Sequence, residues 1–219
     1  MSDFSVTVAN ASHLKYVDLI CLTIAESAAQ RGTGIAKRSP EYISAKIEAG
    51  DAVIAYNKKG TLAGFCYVET WGHEKYVANS GLFVNPIFRH MGLAKRIKEK
   101  AFKLSRKKHP DSKIFGLTTS LAVMKINSDL GYYPVTFSEL TNEETFWKGC
   151  RSCVNYSILE SKEFKNCLCT GMQYDPKNNR KTRKWHFIKK SKIYGRMVQI
   201  KRAVFTKNRK ASILNLLWI

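Results

Sequence analysis

Apolar residues recur along this chain with two different periods, and the switches between them lay out an order of elements. Residues 4–9 read as a short strand. From Ser12, a suitable N-cap, the residues Leu14, Val17, Cys21, Ile24 and Ala28 fall on one face of a helix running to about Gln30, where Gly32, Thr33 and Gly34 break it. Ser39 followed by Pro40 predicts a second helix, capped and started by those two residues and stopped at Gly50. Residues 52–57 and 62–70 then read as strands joined through Lys58, Lys59 and Gly60 in a hairpin, with residues 76–84 as the third strand of a meander.

A helical period returns at Leu93, Ile97, Ala101 and Leu104, opposite a polar face of Lys95, Lys98, Lys103, Arg106 and Lys107. Residues 113–119 read as a buried strand, and residues 121–130 as a helix ended by Gly131. Between the strand ending at Val84 and the helix starting at Leu93 lies a turn with small or donor-rich residues. Gly92 and Ala94 let backbone approach an anion closely, the first-turn amides of the helix point outward with the positive end of its dipole, and Arg89 adds a charge-assisted contact. Such a turn suits a pyrophosphate, although an ordinary strand-to-helix turn carrying glycine has the same look.

Length and composition narrow the class. With 219 residues there is room for one core with an extension, and no apolar run is long enough to span a membrane. The start lacks a signal-peptide pattern, so a cytoplasmic location is expected. The net charge of +20 is uneven: residues 1–175 hold 23 of the 37 Lys and Arg with all 17 acids, and residues 176–219 hold the other 14 cations with none. Trp185, His186, Phe187, Tyr194 and Phe205 interleave that basic tail. It could bind RNA or another anionic surface, or be a solvated basic face.

The segment Arg89-His90-Met91-Gly92-Leu93-Ala94, following Val84, resembles the acyl-coenzyme A signature of the GNAT superfamily of N-acyltransferases. The resemblance implies a mixed α/β (α+β) GNAT fold. Its sheet would be mostly antiparallel and splayed at one parallel pair, the strand ending at Val84 and that ending near Thr119, with helices on both faces and a basic C-terminal extension. Residues 114–119 followed by Gly131-Tyr132-Tyr133-Pro134-Val135 look like the acyltransferase domain of N-acetylglutamate synthase. Residues 34–39 are similar to the loop that holds the acceptor carboxylate there, and Arg151 with residues 154–159 falls where that family closes its domain with a basic residue and a final strand. The expected domains are residues 1–160 as the acyltransferase and residues 161–219 as a cysteine-containing hairpin end and extension. An amino acid kinase domain, carried by many such synthases, is absent from this sequence.

The implied reaction moves an acetyl or succinyl group from acyl-coenzyme A to the α-amino group of glutamate or a related amino acid, as in arginine biosynthesis. Backbone amides of Leu82, Phe83 and Val84, with Arg89, His90, Met91, Gly92, Leu93 and Ala94, would hold the donor. Lys37 and Arg38, near Arg31, suit a carboxylate, Arg38 first because its fork can grip one bidentately; they are equally the charges expected beside a helix cap. Glu69 is the candidate base, with His73 and Glu74 as rivals. Many superfamily members carry a tyrosine acid four residues before the glycine at 131; here Asn127 stands there, able to hydrogen-bond pantetheine or sulfur but not to serve as a phenolic acid. Tyr132 reads as core.

Cys150-x2-Cys153, a thirteen-residue spacer and Cys167-x-Cys169 resemble a structural zinc site that would staple a hairpin over residues 155–165. Buried free thiols are the alternative, and Cys21 and Cys66 read as core. Oligomeric state is left open, a dimer being compatible with the sequence. Rival functions are acylation of another amine, such as a peptide N-terminus or an aminoglycoside, and an RNA-binding or zinc-stapled interaction module on a GNAT scaffold.

Overall fold

Seven strands form one mixed sheet in the order β1-β2-β3-β4-β5-β7-β6 in a computed structural model that describes residues 4–31 and 38–178. The strands are β1 (Phe4–Val8), β2 (Ala52–Asn57), β3 (Leu62–Trp71), β4 (Tyr76–Val84), β5 (Lys113–Thr118), β6 (Tyr133–Val135) and β7 (Thr170–Tyr174). All neighbours run antiparallel except β4 and β5. This is the mixed, splayed GNAT sheet expected from the sequence.

The helices are α1 (Val17–Arg31), α2 (Pro40–Glu48), α3 (Leu93–Lys108), α4 (Leu121–Asp129), α5 (Glu144–Lys148) and α6 (Tyr156–Ser161). Side-chain alternation on the central strands assigns them to two faces. On β3, Phe65 and Tyr67 join Ile20, Ile24, Ile43 and Ile47 of α1 and α2, whereas Cys66 and Val68 join Leu93, Ile97 and Ala101 of α3. Met124 of α4 packs on the α3 side, and a third cluster around Phe115, Phe137, Trp147 and Leu159 brings in α5 and α6.

Ser39 caps α2 by accepting from the Tyr42 N–H, with Pro40 at the first helical position. The first helix departs from expectation: Asn10, not Ser12, is the cap, because its side chain accepts the Ser12 N–H while His13 returns a bond to the Asn10 N–H, and residues 11–16 wind as a 3-10 helix before α1. Residues 154–159 do not form a closing strand or part of a hairpin. They enter α6, where Leu159 packs inward, and the sheet is completed by β7, which lies between β5 and β6. The sheet therefore takes in residues beyond 160, and the first compact unit runs Met1–Asn179. The basic tail and its aromatics lie outside the described residues.

Candidate active site

Strands β4 and β5 are paired only through Tyr76↔Lys113, Val77↔Ile114 and Ala78↔Phe115. Past Ala78 they part: Gly116, Leu117 and Thr118 keep only their pairing with β7, on the other edge of β5. The gap between them opens into a cavity of about 640 Å³, lined by residues 79–82 of β4, 116–118 of β5, Asn127 of α4 and Lys98 of α3, and reaching Arg38, Tyr42, Tyr67 and Glu69 at its other end.

An irregularity in β4 shapes this gap. Tyr67 faces Ser80 and Phe65 faces Phe83, so Gly81 and Leu82 together stand opposite Cys66, one residue too many for regular pairing. Gly81 takes a φ of +64°, and a Cβ there would lie 2.4 Å from a Tyr67 ring carbon. Only glycine fits that bulge. Of the three β4 residues expected to face a donor, Leu82 lines the cavity, Phe83 is buried on the α1/α2 face and Val84 pairs with Gly64.

The turn from Asn85 to α3 holds the candidate anion site. Asn85 accepts the Ile87 N–H at 3.2 Å, Arg89 donates from Nε to the Val84 carbonyl at 3.4 Å, and His90 and Gly92 both have positive φ. Gly92 is the N-cap of α3 and carries no side chain to occupy the first-turn amides, and a Cβ at that position would meet nothing within 4 Å. Leu93 is buried and anchors the helix end, while Ala94 is half-buried and Met91 is exposed. The open space before the amides of residues 93–95 is the geometry an anion needs.

At the far end, Glu69 of β3 is 7% exposed. It accepts a short hydrogen bond from the Tyr42 hydroxyl and pairs with Arg38 Nη2 at 3.4 Å. Arg38 also donates from Nε to the Tyr67 hydroxyl at 2.7 Å, and its guanidinium lies over the Tyr42 and Tyr67 rings at 5.2 and 5.8 Å. Burial pulls the Arg38 pKa down, but Tyr67, Glu69 and Tyr42 outweigh it and hold the group above its ordinary value. Burial and the Glu69 charge push both phenols well up, so they stay protonated.

The structure thus brings Arg38, Glu69, Leu82 and Asn127 to one cavity and sets the Arg89–Ala94 turn at the head of α3. Lys37 lies outside the described residues, as does the side chain of Arg31. His73 and Glu74, the rivals to Glu69, sit with positive φ in the turn between β3 and β4 and do not line the cavity. Asn127 is 1% exposed; its amide donates weakly to Met172 Sδ at 3.8 Å and its Oδ1 has no partner among the described residues. The sequence reading missed Tyr42, Tyr67, Gly81 and Lys98. A glycine inside an otherwise regular strand was the available signal for the bulge.

The structure lends no support to zinc at Cys150, Cys153, Cys167 and Cys169. No group of three or more His, Cys, Asp or Glu among the described residues is arranged to hold a metal ion, and all four thiols are free. Cys150, Cys167 and Cys169 instead pack against the third apolar cluster. Burial, then neighbouring thiols, push Cys150 up to about 11 and Cys169 up to about 12, which keeps them protonated.

Residues 22–124 match the model of the Acetyltransferase (GNAT) family. No curated protein matches the chain. Among solved structures, the chain is similar to N-acetylglutamate synthase from Neisseria gonorrhoeae complexed with coenzyme A and N-acetyl-glutamate, at 16% identity and TM-score 0.56 over 80% of this chain and 35% of that one. The chain therefore spans about a third of that synthase. A Mycobacterium tuberculosis protein in complex with CoA gives 15% identity and TM-score 0.55 over 78% and 98% of the two chains. An acetyltransferase of Salmonella typhimurium, described as putative and holding acetyl-CoA, gives 13% and 0.52 over 80% and 95%.

Proposed function

We propose that this chain, an acyl-CoA-dependent N-acyltransferase that carries a GNAT-family acetyltransferase domain, acylates the α-amino group of glutamate or a related amino acid. The observation that supports this acceptor is the Arg38–Tyr42–Glu69 cluster, a carboxylate and a guanidinium side by side at one end of the cleft. A negatively charged amino acid offers an ammonium to the first and a carboxylate to the second. Arg38 already serves Glu69, so a bound acceptor carboxylate would share the guanidinium.

Under this proposal each step is assigned to particular residues. The amides at residues 93–95 and Arg89 bind the donor diphosphate, and the pantetheine arm lies in the β4–β5 gap. Glu69 takes a proton from the acceptor ammonium, its own charge steadied by Arg38 and the Tyr42 hydroxyl. The freed amine attacks the thioester carbonyl, whose oxygen is stabilised by backbone N–H at the Gly81–Leu82 bulge. Collapse forms the amide and breaks the C–S bond. The second ammonium proton goes to the departing thiolate, beside which the Asn127 amide supplies a hydrogen bond. The N-acylated product would enter an arginine-type biosynthetic route.

Free thiol release with acetyl- and succinyl-coenzyme A, measured against each amino acid, tests the assignment. Turnover is expected with glutamate above all. Robust turnover with a peptide N-terminus or an aminoglycoside, and none with acidic amino acids, overturns it. The +14 of residues 176–219 supports an accessory anion-binding role for the tail, which its deletion would separate from turnover.

A further inference from the structure

Lys98 takes no part in the acyl transfer just described, yet it stands in the cleft. It is 2% exposed, and among the described residues its ammonium has no hydrogen bond or ion pair, only the Tyr132 ring at 5.5 Å. Tyr132 itself donates to Asn79 Oδ1 at 3.3 Å, Asn79 donates to Ser105 Oγ at 2.7 Å, and the neighbouring Cys66 thiol, pushed up to about 11 by burial, offers no anion. A buried amine without an anion is costly. Its counterion is to be sought in what fills the cavity that it lines.

The two faces of the sheet indicate which substrate that is. Glu69 and Arg38 belong to the α2 face, where the acceptor is expected. Lys98 belongs to α3, on the opposite face, in the helix whose first turn receives the donor diphosphate and beside the strand whose bulge would receive the thioester. Lys98 lines the same cavity as Gly81 and Leu82, so the cleft that would take the thioester is open to it. We propose that Lys98 receives a carboxylate at the far end of the acyl chain, so that the preferred donor is the coenzyme A thioester of a dicarboxylic acid, of the succinyl class. The inference rests on the assignment of the cleft to an acyl-CoA. Its chemistry is unchanged: the C–N bond forms, the C–S bond breaks, one ammonium proton goes to Glu69 and one to the thiolate, and the distal carboxylate stays intact on the product.

Binding of succinyl-, butyryl- and acetyl-coenzyme A to the whole protein, measured by calorimetry without acceptor, tests this. Butyryl matches the succinyl chain in length and lacks its charge. A charge-assisted contact predicts succinyl-CoA binding roughly 10- to 100-fold tighter than butyryl-CoA. In Lys98→Met, or Lys98→Gln if the first variant does not fold, that ratio should fall to near one. Equal affinities in the unaltered protein overturn the proposal whatever the variants do. A ratio unchanged in the variants also overturns it, as does a Lys98 effect confined to the KM for glutamate. No binding of any thioester would remove the acyl-CoA assignment itself, a different result from equal binding of all three.

Discussion

Gly81→Ala and Gly92→Ala form a matched pair, because both glycines hold a left-handed φ, +64° and +72°, in very different surroundings. An L-residue in that conformation costs about 1–2 kcal/mol at either site. At Gly92 that is the whole cost to stability, since the added methyl meets nothing within 4 Å. At Gly81 the methyl would lie 2.4 and 2.8 Å from two carbons of the buried Tyr67 ring, and overpacking adds about 1–3 kcal/mol. The sum at Gly81 is about 2–5 kcal/mol, or a melting point lowered by roughly 4–20 °C for a domain of this size. Tyr67 can yield only by releasing Arg38 Nε, so kcat should fall as well. Gly92→Ala should instead raise the KM for the donor, because the methyl sits where an anion would approach. Urea melts with steady-state kinetics check both. Equal stability losses in the two variants would refute the bulge argument.

Glu69→Gln keeps the shape of the acceptor end and removes the base, so kcat should drop about 10²- to 10⁴-fold with little loss of donor binding, measured by thiol release and calorimetry. Burial lowers the Lys98 pKa, so the unfolded chain binds the proton more tightly; stability should rise with pH from the depressed folded value up to the ordinary lysine value near 10.5, and Lys98→Met should flatten that rise in denaturant melts. Iodoacetamide at pH 8 should label Cys150 roughly 100-fold more slowly than a thiol with pKa 9, and Cys169 more slowly still, because the thiolate fraction falls tenfold per unit; mass spectrometry of the modified peptides reads this. Comparable labelling of Cys150 and an unfolded control would show the thiols less buried than they stand here.

Much of the scaffold was legible because local signals and tertiary demands agree. Ser39 and Pro40 start α2 where a cap and a proline belong, Gly131 ends α4, and the alternation on β2 and β3 matches their two buried faces. The Arg89–Ala94 turn was legible for the same reason. Other features depend on contacts distant in sequence. Residues 154–159 are too few for their apolar spacing to separate helix from strand, and Thr170–Tyr174, with a glycine and a glutamine inside, pairs as a strand only because β5 and β6 flank it. Lys98 was read onto the polar face of α3, yet Ile97 and Lys98 are both buried, and Lys98 lines the cavity between the parted strands. Arg38 and Glu69 were each legible as chemistry. Their pairing was not, since 31 residues separate them.

The placement of β7 bears on how this chain comes to be assembled. Strands β1 to β4 can zip together from neighbours in sequence once α2 is made, but β5 gains its second partner only when Tyr174 has been synthesised, some fifty residues after β5 itself. Long-range pairing of that kind is slow to close. A nascent chain would therefore carry an unpaired strand edge on one wall of the future cleft for much of its synthesis, an interval in which a chaperone is most useful and a premature stop most damaging.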